Sequence, residues 1–124
     1  MSLWVWFAVA GAGALGSVLR YLADTAVSAR RFSVFPFGTL TVNLSGSLVF
    51  GALTGLALYH AFPDTAKVVL GSGVCGAYTT FSTFCLETVV LAREGERLHA
   101  VRNVAANLVG CCVAAAIGLA LAAL

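Results

Sequence analysis

Long apolar stretches separated by short polar segments dominate this chain. The apolar stretches cover about residues 3–24, 38–62, 68–92 and 101–124. Each is at least as long as the roughly 20 residues that a helix needs to cross the hydrocarbon core of a bilayer. Their side chains do not alternate strictly between apolar and polar, which favours helices over the strands of a membrane barrel. The pattern predicts an all-α integral membrane protein with four transmembrane helices in a single domain, residues 1–124.

The composition excludes several other classes of protein. Of 124 residues, 60% are hydrophobic and only 10% are charged, whereas a soluble domain carries about 25% charged residues. A water-soluble fold of this size could not cover its surface with so few polar side chains, and a disordered chain is far more polar. The formal net charge of +2 is small and scattered, so the chain is not predicted to bind nucleic acid.

The basic residues are distributed unevenly between the two sides of the predicted bundle. Arg30, Arg31, Arg93 and Arg97 lie in the first and third loops, which share one side, and Lys67 lies in the second loop. Because positively charged loops tend to remain in the cytoplasm, this distribution favours an orientation with both termini outside.

Glycines in the first two spans indicate close helix packing. Gly51 and Gly55 have the GxxxG spacing that lets two membrane helices approach each other closely. Four slender helices enclose little interior, so we also expect the chain to form an oligomer.

Asparagines are costly side chains in the second and fourth spans, because each must find a hydrogen-bond partner inside the membrane. Asn43 has two amide donors that its own helix cannot satisfy, and its residue type alone favours an interhelical hydrogen bond over a ligand-binding role. Asn103 and Asn107, four residues apart on the fourth span, are candidates for the same role. The other members of the helical face that carries Asn43 are Thr39, Ser47, Phe50 and Thr54.

Residues 71–84 make the third span unusual. This segment, GSGVCGAYTTFSTF, combines glycines, β-branched residues and hydroxyl groups in mid-membrane, where an interrupted helix is hard to tolerate. We therefore predict that the third helix is broken near its middle, with its freed carbonyls and amides turned toward protein, a cavity or an ion. Phe81 and Phe84 share one face of this span. A neighbouring face carries Thr80, Thr83 and Glu87.

These side chains suit the passage of an anion. Amides, hydroxyls and opened backbone amides donate hydrogen bonds, and the edge of an aromatic ring is electropositive. Lysine and arginine are missing from the middle of every span, so an anion would bind weakly enough to leave again, as conduction requires. Two other classes stay open on the residues alone: a proton-coupled exporter that uses Glu87 as its coupling acid, and a structural subunit without transport activity.

Catalytic chemistry is not predicted, so the chain is not expected to be an enzyme. His60 and His99 lie at the ends of spans, away from the depth at which a membrane-buried metal or catalytic site would form. The four cysteines include no C-x-x-C pair and are interpreted as small packing residues.

Several segments resemble the Fluc (CrcB-type) fluoride channel family. The run of residues 76–84, GAYTTFSTF, followed by Glu87, looks like the signature of that family. Residues 13–21 (GALGSVLRY), 36–46 (PFGTLTVNLSG) and 103–110 (NVAANLVG) agree with it in order and spacing. The resemblance therefore extends over all four predicted helices.

The resemblance implies a passive, fluoride-selective ion channel in the plasma membrane or the bacterial inner membrane, which lets cytoplasmic fluoride leave and relieves fluoride toxicity. It also implies an antiparallel, dual-topology dimer with two pores. A structural sodium ion (Na+) at the dimer interface would be held by the backbone carbonyls of Gly76 and Thr79. Arg20 is implied for an aqueous vestibule. The implied pore-lining residues are Asn43, Phe81, Phe84, Ser82 and Thr83.

Two features depart from the family pattern. Ala77 stands where a second glycine is common and Tyr78 where an aliphatic residue is common, and Ala77 restricts the backbone φ angle at the predicted break. The uneven basic residues are the other departure, because a dual-topology homodimer inserts in both orientations about equally. The partner is therefore predicted to be either a second copy of this chain or an oppositely oriented paralogue.

Overall fold

The computed structural model describes residues 2–124. Four helical segments are long and apolar enough to cross a membrane, which confirms the predicted all-α architecture. A π-helical stretch, Val68–Cys75, joins two short helices within the third segment, Asp64–Arg93, which we call the third span. The helices are α1 (Leu3–Arg30), α2 (Phe37–Tyr59), α3 (Asp64–Lys67), α4 (Gly76–Tyr78), α5 (Phe81–Arg93) and α6 (Arg97–Leu121).

The first helix is longer than the apolar stretch that predicts it. α1 has 28 residues, about 42 Å, and it continues through Asp24 to Arg30 rather than ending near residue 24. Since the hydrocarbon core is about 30 Å thick, the last turns project into the headgroup region, where polar side chains are solvated. Much of the polar segment assigned to the first loop is therefore the end of a helix.

The third span is interrupted between α4 and α5. Thr79 (φ −72°, ψ 157°) and Thr80 (φ −144°, ψ 121°) have extended backbone. The hydroxyl oxygen of Thr80 accepts a hydrogen bond from the amide of Thr83 at 3.3 Å and so caps the first turn of α5. The predicted break near the middle of the third helix is confirmed, and it lies at these two threonines.

Ala77 does not obstruct this break. It lies inside α4, and the only positive φ angles among residues 2–124 belong to Ala61 and Gly95. The helix changes its winding before the break, where the Gly76 amide bonds to the Gly71 carbonyl in the wider π-helical register. The interruption therefore uses extended threonines and does not require a left-handed glycine.

Helices α2 and α6 pack closely because glycines line their contact. A Cβ atom added to Gly51 would overlap the carbonyl oxygen of Ala115, and one added to Gly118 would overlap the carbonyl oxygen of Leu48. A Cβ atom on Gly55 would crowd the backbone of α6 in the same way. The close packing predicted from the GxxxG spacing is confirmed, and it brings the polar faces of the two helices into direct contact.

The first and third loops lie at the same end of the bundle. The ring centroids of Phe35 and His99 are 6.4 Å apart, which joins the segment before α2 to the start of α6. The Arg31 guanidinium at this end stacks over the Phe37 ring, 4.8 Å from its centroid. The arginines of the two loops therefore share one end, as the alternation of four spans requires.

The glycine contact predicts a position-dependent effect of one added methyl group. Gly51→Ala should lower the free energy of unfolding by about 1–3 kcal/mol, because the methyl group meets backbone that cannot move aside. Gly11→Ala is the matched control, since a Cβ atom at Gly11 meets nothing within 4 Å. Thermal unfolding of the purified variants in detergent measures the difference, and equal melting temperatures would contradict the close α2–α6 contact.

Candidate functional site

Asn43 holds the two sides of the break in the third span. Its Nδ2 group donates to the Thr80 carbonyl at 3.0 Å, and its Oδ1 atom accepts from the Thr80 amide at 2.8 Å. Thr80 therefore pairs with a side chain of α2 in place of the helical neighbours that it lacks. Both residues are buried, with 8% of their surface exposed. A buried backbone group without a partner is costly in a membrane, so this pair of bonds stabilises the interruption.

The asparagines of α6 continue this hydrogen-bond network. Asn43 Nδ2 also donates to Asn107 Oδ1 at 2.9 Å, and Asn107 Nδ2 donates to Asn103 Oδ1 at 3.0 Å. Asn103, which is fully buried, donates in turn to the Thr88 hydroxyl of α5 at 3.0 Å. The interhelical role predicted for the asparagines is confirmed. Both amide hydrogens of Asn43 are engaged, so it has no free donor in this arrangement.

A cavity of about 440 Å³ lies on one side of the break, and we call it the phenylalanine cavity. The rings of Phe81 and Phe84 lie on its wall with centroids 5.6 Å apart and planes inclined by 50°. Phe81 is 78% exposed, so much of its ring is uncovered by its own chain. The remaining wall is formed by Asn43, Ser47, Thr79, Thr80, Val104, Asn107, Leu108, Cys111 and Cys112.

A smaller and more polar cavity of about 210 Å³ lies on the other side of the break, and we call it the arginine cavity. Arg20 and Asp24 of α1 line it, and Thr80 is the residue that both cavities share. The remaining lining residues are Ser17, Tyr21, Thr39, Val42 and Thr83. One buried residue, Thr80, thus lies between the aromatic cavity and the charged cavity.

Hydroxyl groups surround Thr80 at this boundary. The Thr80 hydroxyl donates to the Thr83 hydroxyl oxygen at 2.9 Å, which leaves the hydrogen of Thr83 available for another acceptor. The Ser82 hydroxyl lies 3.5 Å from that of Thr80. An anion at this point would therefore meet O–H groups from the first turn of α5 and from the residue that caps it.

Glu87 is held by α2 rather than by an arginine. The Thr39 hydroxyl donates to Glu87 Oε1 at 2.7 Å, while Oε2 is buried and has no partner among residues 2–124. In the same range the only ion pair joins Glu96 to His99. The carboxyl group therefore lies behind Thr39 and outside the set of residues that line the two cavities.

Backbone carbonyls beside the break could accept a cation. In a continuous helix the Thr80 amide would bond to the Gly76 carbonyl, but here it bonds to Asn43. Apart from hydrogen bonds internal to the helices, no backbone amide within residues 2–124 donates to the carbonyls of Gly76 or Thr79. Carbonyls at an unwound point of a membrane helix are ligands of Na+, so the donor set fits that ion. Tyr78, the neighbouring departure from the family pattern, bonds through its hydroxyl to Ser45 at 2.9 Å.

Comparison with known proteins identifies the family. The family described as CrcB-like protein, Camphor Resistance (CrcB), matches residues 7–119. The chain belongs to the CrcB-like family. The match runs from α1 to α6 and includes both cavities, the break and the asparagine network, so the whole candidate site lies within the shared sequence.

Curated relatives carry a function in their names. Fluoride-specific ion channel FluC 1 of Frankia casuarinae is 44% identical over 122 residues, covering 94% of this chain and 95% of the relative. Fluoride-specific ion channel FluC 2 of Mycolicibacterium paratuberculosis is 46% identical over 120 residues, covering 97% and 95%. Fluoride-specific ion channel FluC of Rhodospirillum rubrum is 43% identical over 113 residues, covering 89% and 88%. The expectation that this chain is not an enzyme is confirmed by this family membership.

The structure brings together most of the residues singled out in the sequence. Phe81, Phe84 and Asn43 line one cavity, Arg20 and Thr83 line the other, and Ser82 lies beside the boundary between them. The carbonyls of Gly76 and Thr79 lie beside the break. Asp24 was missed as a site residue. Asp24 follows Arg20 by four residues, which places both side chains on one helical face, and this spacing could have predicted that Asp24 lies near Arg20.

The hydrogen bonds of Asn43 predict a large effect on stability. Asn43→Ala would leave the Thr80 amide and the Asn107 Oδ1 atom without these partners, and each unsatisfied buried group costs about 1–3 kcal/mol. Ser47→Ala is the control, because Ser47 lines the same cavity and takes no part in this network. We expect thermal unfolding in detergent to show a much lower melting temperature for Asn43→Ala only. Similar melting temperatures would show that Asn43 does not stabilise the break.

Proposed function

We propose that this chain forms a passive, fluoride-selective channel that lets cytoplasmic fluoride leave the cell and so relieves fluoride toxicity. The observation that carries the proposal is the position of Thr80, which lines both cavities at the break of the third span. An anion that passes Thr80 would move between a cavity with a guanidinium and one with aromatic rings. The names of the relatives support fluoride as that anion.

The proposed route uses several weak donors in succession. Arg20 attracts the anion to the arginine cavity, and the hydroxyls of Ser82 and Thr83 replace part of its hydration shell. Phe81 and Phe84 then present the electropositive edges of their rings. Because a small anion is costly to dehydrate, several donors must act together, and the absence of a lysine or arginine side chain in the middle of the spans lets the ion leave again. Asn43 forms part of the pore wall and holds the break in shape.

A structural sodium ion at the centre of a dimer is part of the proposal. The carbonyls of Gly76 and Thr79 would hold it, and two protomers related by a two-fold axis would together present four such oxygens. When bound, the ion supplies a fixed positive field inside the membrane without a titratable side chain. The support for this site is that the Thr80 amide, the usual helical partner of the Gly76 carbonyl, bonds to Asn43 instead, and that Thr79 has extended backbone.

A second protomer would complete the pore. The exposed ring of Phe81 leaves the phenylalanine cavity open on one side, and an anion pathway open to lipid tails could not conduct. We infer an antiparallel dimer with two pores in the plasma membrane or the bacterial inner membrane. The partner is a second copy of this chain or an oppositely oriented paralogue. The paralogue stays in the proposal because the arginines of the first and third loops share one end of the bundle, and such an uneven distribution favours a single orientation.

Side-specific labelling distinguishes these partners. A peptide tag at the C-terminus is scored in intact cells and in inverted vesicles. Equal labelling from both sides is expected for a dual-topology homodimer and would exclude the need for a paralogue. Labelling from a single side is expected for a chain that inserts in one orientation, as the positive-inside rule favours, and it would exclude the homodimer.

Fluoride efflux from liposomes tests the channel itself. Vesicles containing the purified protein and potassium fluoride receive valinomycin, and a fluoride electrode records release. We expect rapid fluoride loss while chloride is retained under matched conditions. Phe81→Ile and Phe84→Ile should each lower the rate at least about tenfold, equivalent to about 1.4 kcal/mol in the barrier. Phe7→Ile is the control, since Phe7 is exposed on α1. Equal release of chloride, or no fluoride release, would contradict the proposal.

Proton-coupled export through Glu87 is not favoured, because the relatives are named as channels and Glu87 lies behind Thr39. Glu87→Gln removes the acid and keeps the shape of the side chain. In the liposome assay we expect this variant to keep passive fluoride flux. Complete loss of transport without a pH-independent leak would instead support the exporter.

A further inference from the structure

Asp24 places a negative charge in the proposed entrance for an anion. It lines the arginine cavity together with Arg20, one turn earlier on α1. The two side chains form no ion pair within 4.0 Å, since the only such pair in residues 2–124 joins Glu96 to His99. The guanidinium and the carboxylate therefore act on the cavity as separate charges of opposite sign.

The Asp24 carboxylate packs against the first turn of α2. Gly38 lies directly against Asp24 Oδ1, so a side chain at Gly38 would displace the carboxylate. The N-terminus of a helix carries a partial positive charge and attracts anions, and α2 has no side-chain cap of its own. The Ser28 hydroxyl donates to the same Oδ1 atom at 3.4 Å. A tethered carboxylate thus occupies a place that favours negative charge.

The same place would otherwise attract a mobile anion. Arg20 and the N-terminus of α2 both draw negative charge into the arginine cavity, while Asp24 repels it. We propose that Asp24 limits the access of anions to this cavity, so that its carboxylate sets the rate at which fluoride enters the pore. This inference rests on the proposed channel function. It makes Asp24 a positioning residue for permeation, acting through its charge.

Coulomb's law gives the size of the effect. A unit charge about 7 Å from an anion in water changes the local anion concentration roughly threefold, and more where protein replaces water. Salt removes the effect, because the Debye length falls from about 30 Å at 0.01 M to about 3 Å at 1 M ionic strength. An electrostatic role is therefore recognised by its salt dependence, which a purely structural role of Asp24 would not show.

The test is liposomal fluoride efflux by Asp24→Asn at low fluoride, with ionic strength set by potassium gluconate. At 0.01 M ionic strength we expect efflux at least about threefold faster than wild type, and at 1 M a ratio close to one. Arg20→Gln should shift the low-salt rate in the opposite direction. Asp64→Asn is the matched control, since Asp64 lies at the start of α3 and outside both cavities.

The outcomes separate this inference from the function on which it rests. Wild-type protein without fluoride efflux overturns the proposed function and this inference together. Wild-type flux that Asp24→Asn leaves unchanged, or accelerates equally at both ionic strengths, overturns this inference alone. Thermal unfolding measures the contribution of Asp24 to the stability of α2. If Asp24→Asn does not fold, Asp24→Ser provides a second neutral variant, and the same salt-dependent acceleration is required of it.

Discussion

The structure depends on the need to satisfy every backbone polar group inside a membrane. A helix meets that need by itself, and an interrupted helix does not. Here the interruption at Thr79 and Thr80 is made possible by the amide of Asn43, which takes the place of a peptide group on both sides of Thr80. The break and the two cavities that meet at Thr80 depend on this replacement of a backbone hydrogen-bond partner by a side chain.

Close packing of α2 against α6 serves the same interaction. Glycines at the contact let the two backbones approach until Asn43 and Asn107 are within hydrogen-bond distance. Larger residues would separate the helices by the width of a side chain, and the hydrogen bond between Asn43 and Asn107 would be lost from the network. Small residues at this contact and asparagines at the centre of the bundle are therefore parts of one arrangement, in which packing sets the distances for polar pairing.

Much of this arrangement could be predicted from the sequence. The long apolar stretches predict the four spans. The glycines and threonines of residues 71–84 predict the break, because they weaken a helix in an otherwise apolar segment. The polar end of α1 differs from the sequence prediction, because polar helical residues in the headgroup region resemble a loop. The partner of Asn43 could not be read from the sequence, since it depends on the register between helices. The place of Asp24 could not be predicted for a related reason, because it depends on how α1 lies beside the first turn of α2.

The asparagine network also imposes an order on assembly in the membrane. Asn43 and Thr80 belong to the second and third spans and can pair as soon as both have been inserted. Asn107 belongs to α6, which follows the third span along the chain and is synthesised after it, so the second hydrogen of the Asn43 amide has its partner only when α6 has entered the bilayer. Until then the interrupted helix is incompletely supported. The helix α6 thus completes the hydrogen bonds at the centre of the bundle, and a chain truncated before it would retain a break without its full set of hydrogen bonds.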